Sequence, residues 1–148
     1  MKTSFLILVT FAACISQSFG QEFTPDKGKR DLVFDTVDIQ IVVRANEILS
    51  DDSKWSKADD RKCLDDIDAK KYSLFCALYK ASLDIVGEYN HRKPGLQQVR
   101  WIIGDKYRNR LDNHRLMNFN NHPDTTFDEI KSLLAESLKI IIEKIRED

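Results

Sequence analysis

The side chains best suited to recognition crowd into one stretch: Arg92, Lys93, Arg100, Lys106, Arg108, Arg110 and Arg115 are offset there only by Asp105 and Asp112. A single helix from about Leu96 to Leu116, turning about 100° per residue, gathers Arg100, Arg108 and Arg115 into a sector of roughly 80° beside an apolar stripe. Lys106 and Arg110 flank that stripe on its other side. Arg100, Lys106, Arg108, Arg110 and Arg115 are therefore the candidate binding surface, suited to a sulfated glycan, anionic lipid or an acidic protein face. The plainer alternative is a solvated face paired to acidic neighbours such as Asp59, Asp60, Asp65 and Asp66. His91, His114 and His122 share no metal-ligand spacing and read as surface or capping residues. The pairs Asp51-Asp52 and Asp59-Asp60 lie in polar, turn-rich sequence, where carboxylates cap and solubilise more readily than they exchange protons. No catalytic group, metal or cofactor is expected, and the chain reads as a protein that is not an enzyme.

Cysteine usage depends on where the chain goes. Lys2 is followed by an apolar run from Phe5 to Ile15 and then by Ser18-Phe19-Gly20, the pattern of a secretory signal peptide over residues 1–20. Its apolar core is too short for a membrane span. Of three cysteines, Cys14 falls in the leader, which leaves Cys63 and Cys76 as the pair that bonds in an oxidising compartment. An unbroken helix would hold the two roughly 19 to 20 Å apart, whereas a disulfide tolerates a Cα spacing of about 4.4 to 6.8 Å. The chain must turn between them, with Asp65, Asp66 and Asp68 supplying turn chemistry and Asp68 capping the helix that carries Cys76. A redox-active pair is the alternative, but the spacing lacks the compactness of Cys-x-x-Cys sites.

The charge balance of 23 Lys+Arg against 24 Asp+Glu names no partner and gives no reason to expect nucleic acid. No later segment is apolar for long enough to cross a membrane, and no Asn stands two residues before Ser or Thr, so the expectation is a soluble, secreted monomer without N-linked sugar. Residues 21–34 read as a mobile arm. Within it, Gly28-Lys29-Arg30 resembles a neuropeptide processing signal, which would make the chain a peptide precursor cut after Arg30.

Residues 35–148 read as a single helical domain. Val37, Ile41, Ala45, Ile48 and Leu49 recur at helical intervals, although Val37, Ile39, Ile41 and Val43 also fit a strand. Asp51-Asp52-Ser53 breaks that element, and a short helix over about Lys57 to Leu64 should carry Cys63. From Ala69 to about His91, Tyr72, Phe75, Cys76, Tyr79, Leu83, Val86 and Tyr89 form a helical stripe that Lys93-Pro94-Gly95 ends. Another stripe runs through Val99, Ile103, Tyr107 and Leu111, with a loop over Asn118 to Pro123. Thr126-Phe127-Asp128-Glu129 is a capping-box pattern ahead of Ile130, Leu134, Leu138, Ile141 and Ile145. The fold class is all-α, a compact bundle of four to five helices stapled by one disulfide.

Tyr72, Phe75, Tyr79, Tyr89, Trp101, Tyr107 and Phe127 either fill the core or line a pocket for a lipid or odorant. In its leader, its size, its helical patterning and its sparse disulfide, the chain resembles the small secreted salivary proteins of blood-feeding insects such as mosquitoes. The resemblance implies a non-enzymatic effector that binds an extracellular host protein or sulfated glycan and modulates an immune, complement or haemostatic response. An extracellular carrier of a small apolar ligand is the alternative.

Overall fold

The helices begin where side chains can satisfy their free amides. Asp35 Oδ1 accepts the amide of Asp38 at 3.0 Å while Asp38 Oδ2 accepts that of Asp35 at 3.1 Å, a reciprocal capping box that opens α1 (Thr36–Ile48). Helix therefore prevails over the strand alternative, and Ile41, Val42 and Ala45 are buried along α1. The structure, a computed structural model, describes residues 31–147. The expected leader, Cys14, the Gly28-Lys29-Arg30 site and the arm up to residue 30 lie outside the described residues. Among residues 31–34, Phe34 packs against the core.

Six helices make up the described chain, four of them long: α1, α2 (Cys63–Ala69), α3 (Leu74–Val86), α4 (Pro94–Lys106), α5 (Arg115–Asn121) and α6 (Phe127–Glu147). The fold is all-α, and α1 packs against α3, α4 and α6. Between them lies a core of Ile41, Val42, Leu78, Leu96, Val99, Ile103, Ile130, Leu134 and Ile141, each at most 1% exposed. Removing such side chains from water is what drives the fold. Among the described residues no helix is long and apolar enough to cross a membrane.

Two ends of α6 and α3 follow simple rules. The expected capping box of α6 is present, with Glu129 N donating to Thr126 Oγ1 at 3.3 Å and Thr126 N to Glu129 Oε2 at 3.1 Å. Helix α3 stops at Gly87, whose φ of 78° suits a residue without Cβ. It is therefore shorter than the stripe from Ala69 to His91, and Tyr72 precedes it. Its N-cap is Ser73, whose Oγ accepts the amide of Cys76 at 3.2 Å, and not Asp68, which sits inside α2. Helix α4 starts on Pro94, and its own N-cap residue, Lys93, supplies no side-chain bond. Asp38 of α1 fills that role, accepting the amide of Gly95 at 2.8 Å. A Cβ on Gly95 would meet Asp38 Cβ at 3.0 Å and Oδ1 at 3.1 Å, so the close approach requires glycine.

The disulfide joins Cys63 to Cys76 with a Cα spacing of 4.9 Å. The chain turns between them at Lys70, with φ of 53°, and Asp66 Oδ2 accepts the amide of Ser73 at 2.8 Å. The expected helix over Lys57–Leu64 is absent, because its backbone groups are engaged elsewhere. Ser56 N bonds to Tyr72 O at 2.9 Å, Asn121 bonds both Asp59 N and Asp59 O, and Arg61 takes a positive φ of 65° while its amide donates to Asp59 Oδ1. The helix begins only at Cys63.

The segment ahead of it is fastened through Asn120, which is fully buried. Its Oδ1 accepts Trp55 Nε1 at 2.9 Å and Leu74 N at 3.0 Å; its Nδ2 donates to Ser56 O at 3.0 Å and Lys57 O at 3.1 Å. One amide thus joins the 55–57 segment, α3 and α5. Asn120 falls within the stretch expected to be a loop, which is instead largely α5.

Candidate functional site

The basic stretch does not form one helix. Helix α4 ends at Lys106, Arg108–Arg110 is a single 3₁₀ turn, and Arg115 opens α5. The break has local causes: Asn118 Oδ1 accepts the amides of Asp112 and His114, and Tyr107 packs on Phe119 with ring centroids 4.5 Å apart. The common helical sector expected for Arg100, Arg108 and Arg115 therefore does not exist. Lys106 bonds Glu136, and Arg110 bonds Glu129 at 2.8 Å and Thr125 Oγ1 at 3.2 Å, which ties both to α6 or the turn before it. Their acidic partners are thus not the expected Asp59, Asp60, Asp65 or Asp66. The Arg110 guanidinium holds the Glu129 carboxyl below its ordinary range.

Arg100 and Arg115 are brought together in another way. With Arg61, His114, Phe75, Leu116 and Met117 they line a small cleft of about 100 Å³. Arg61 and Phe75 also line a larger neighbouring cleft of about 450 Å³, together with Lys62, Cys63, Leu64, Asp65, Tyr79 and Tyr89. The two clefts share a wall. Arg108 lines neither of them.

The larger cleft has an aromatic floor. Phe75 meets Tyr89 edge-on at 5.7 Å with an interplanar angle of 81°, and Tyr79 lies 5.3 Å from Tyr89 and 6.5 Å from Phe75. All three rings are half-buried. Their positions on α3 follow from its periodicity: while Cys76, Ala77, Leu78 and Ala81 turn inward, Phe75 and Tyr79, one turn apart, share the flank. The disulfide then sets α2 across that flank and places Leu64, 71% exposed, at the rim.

Cations border the floor. The Arg61 guanidinium lies 5.5 Å from the Phe75 ring centroid, within cation–π range. Arg100 donates to Tyr89 Oη at 3.0 Å and to the carbonyl of His91 at 2.9 Å. Both acceptors are neutral, so these bonds orient the guanidinium without cancelling its charge. Lys62 pairs with Asp60 at 3.4 Å on the open surface. Asp65 is the lining carboxylate, and it belongs to the larger cleft alone. No three His, Cys, Asp or Glu side chains form a metal-binding group among the described residues.

The structure brings Arg100 and Arg115 to one cleft from two different helices and not from a shared helical sector; Arg61 and Leu64, which line the clefts, were not singled out by the sequence. Of the seven aromatic candidates, Phe75, Tyr79 and Tyr89 line the cleft, and Phe75 and Tyr89 also pack against the core, as do Tyr72, Tyr107 and Phe127; Tyr72 and Trp101 line neither cleft.

Fold and site together define a disulfide-stapled, all-α domain with an aromatic cleft bordered by arginines. The chain belongs to a family of unknown function, DUF6197, whose family model matches residues 34–137. No curated protein and no solved structure matches it.

Proposed function

We propose that the protein is a secreted, monomeric, non-enzymatic binding protein that engages an extracellular host protein through the paired clefts beside its disulfide. The observation that carries this reading is the convergence of Arg61, Arg100 and Arg115 on a cleft that shares Phe75 with an aromatic floor. Charge beside desolvated aromatic surface is the composition of a protein-recognition site, in which aromatic and arginine side chains supply most of the binding energy. A sulfated glycan is the weaker partner. It asks for an extended row of cations, whereas Lys106 and Arg110 are bound to Glu136 and Glu129. Modulation of an immune, complement or haemostatic response is the role that the leader and overall build suggest for such a binder.

The test is surface plasmon resonance of the mature protein against purified plasma and complement proteins and against immobilised heparin. Arg61, Arg100 and Arg115 are then changed together to Gln. The expected result is a protein ligand whose binding the triple variant loses while its helicity holds; some fall in melting temperature accompanies it, because Arg100 and Arg115 are half-buried and Arg100 bonds Tyr89 and the His91 carbonyl. Undiminished binding by the variant would overturn the reading. The carrier alternative is favoured by one observation: the larger cleft, at about 450 Å³, has the size of a small-molecule pocket. Native mass spectrometry of protein from its natural source would reveal a retained ligand mass in that case.

A further inference from the structure

We infer that the Lys70–Lys71 peptide bond is a cleavage site for a trypsin-like serine protease, and that cutting it yields a two-chain protein joined by the Cys63–Cys76 disulfide. The inference goes beyond the proposed function and does not depend on it. Such a protease takes a lysine or arginine side chain into a pocket that holds a carboxylate, and it needs the chain around that residue to open into its site. Lys70 and Lys71 are both exposed. Among the described residues they are held through their backbone amides and not through their side chains: Lys70 N donates to Ile67 O and Lys71 N to Asp66 O, each at 3.2 Å. These are the closing bonds of α2, a helix of seven residues. A helix so short has little cohesion of its own, and its last turn opens at low cost. Lys70 lowers that cost further, because its φ of 53° is a left-handed conformation that a side chain with a Cβ disfavours and that extension relieves.

Opening the turn leaves the chain on both sides in place. Tyr72 N donates to Lys54 O at 2.7 Å, Tyr72 O accepts Ser56 N at 2.9 Å, and Cys63 stays bonded to Cys76. Other basic residues outside the long helices are less available. Lys57 Nζ bonds the carbonyls of Pro123 and Thr125, the Arg61 guanidinium lies on the Phe75 ring, and Arg110 is bound to Glu129. Arg92 is the nearest rival, but Pro94 two positions on lacks the amide through which an extended site would hold the chain. Hydrolysis adds water across the Lys70 carbonyl carbon and the Lys71 nitrogen, leaving a carboxylate on Lys70 and an ammonium group on Lys71. The bond lies inside the loop that the disulfide closes, so the cut releases no peptide. It frees the C-terminal end of α2, which packs chiefly on α3, while Cys63, the first residue of α2, stays tied. Because Cys63, Leu64 and Asp65 line the larger cleft, that wall becomes hinged at the disulfide.

The experiment is limited digestion of the intact mature protein with a trace of trypsin, followed by mass spectrometry before and after reduction. The first cut within residues 31–147 is expected at Lys70–Lys71. The two pieces should remain one species without reductant and separate on reduction into a chain ending at Lys70 and one beginning at Lys71. Lys70→Gln is expected to slow this cut at least about ten-fold, because the amide cannot pair with the carboxylate of the protease pocket, and Lys70→Arg to leave it nearly unchanged. In the cut form the α2 amides should exchange hydrogen faster than in the intact protein, while those of α1 and α6 keep their rates. A first cut at another bond in residues 31–147, pieces that part without reductant, or an undiminished cut in Lys70→Gln overturns the inference. Equal exchange of the α2 amides in the two forms overturns the hinged wall.

Discussion

Replacing Asn120 by Ala should be the most damaging single polar change in this protein. The side chain is 0% exposed, so every bond it makes is made without water as an alternative. Its removal strands the Trp55 Nε1–H and the Leu74 amide, both buried donors, and leaves the Ser56 and Lys57 carbonyls short of a partner. A buried group left unsatisfied costs about 1–3 kcal/mol. The two stranded donors alone therefore imply about 2–6 kcal/mol, before any allowance for the space vacated. Against a total stability of about 5–15 kcal/mol for a domain, that places the variant near the edge of folding. Urea denaturation followed by circular dichroism, with tryptophan fluorescence as a second probe, measures the loss. Asn120→Asp separates the two halves of the amide, because it keeps the acceptor for Trp55 and Leu74 and removes both donors. A loss below about 1 kcal/mol in Asn120→Ala would refute the reasoning.

Four other outcomes are expected. Gly104→Ala should stabilise by about 0.5–1 kcal/mol, since a helical glycine gains from a Cβ and the nearest atom, the flexible Arg115 side chain, stands 3.4 Å away. Gly95→Ala should destabilise, because the new Cβ displaces Asp38; thermal melts that rank the two the other way would contradict this account. Burial raises the Asp59 carboxyl above its ordinary value, outweighing the Arg61 amide that bonds it, so the ionised form opposes folding at neutral pH. Asp59→Asn should therefore raise the melting temperature at pH 7, by a margin that shrinks as pH falls through the raised folded-state value; a constant margin from pH 7 to 4 would show that ionisation is not the cause. Thr126→Ala should cost about 1 kcal/mol in a urea titration by freeing the Glu129 amide at the start of α6.

What the sequence disclosed depended on how local the determining interaction is. The α6 capping box and the Cys63–Cys76 bond were legible because Thr126 and Glu129 lie three residues apart and the cysteines form a lone pair. The start of α2 was not, since it is decided by Asn121 bonding Asp59 from 62 residues away. The break at Tyr107 was hidden for the same reason: apolar spacing continues through Leu111, and only the packing on Phe119 and the bonds from Asn118 show that the helix has ended. The arginine cluster was half visible. Arg100 and Arg115 stand out by charge, whereas Arg61 reaches them only because the segment ahead of α2 folds back across α3.

Asp38 joins two helix beginnings in one carboxylate: one oxygen completes the box that opens α1, and the other receives the Gly95 amide. Helix α4 consequently cannot finish its own first turn. It borrows a residue 57 positions earlier in the chain, and its nucleation is tied to the docking of α1. Partial unfolding that frees α1 would leave α4 uncapped, and fraying of α4 would leave a buried carboxylate without its amide. The two helices should therefore exchange their amide hydrogens as a single cooperative unit, with similar protection and similar sensitivity to denaturant.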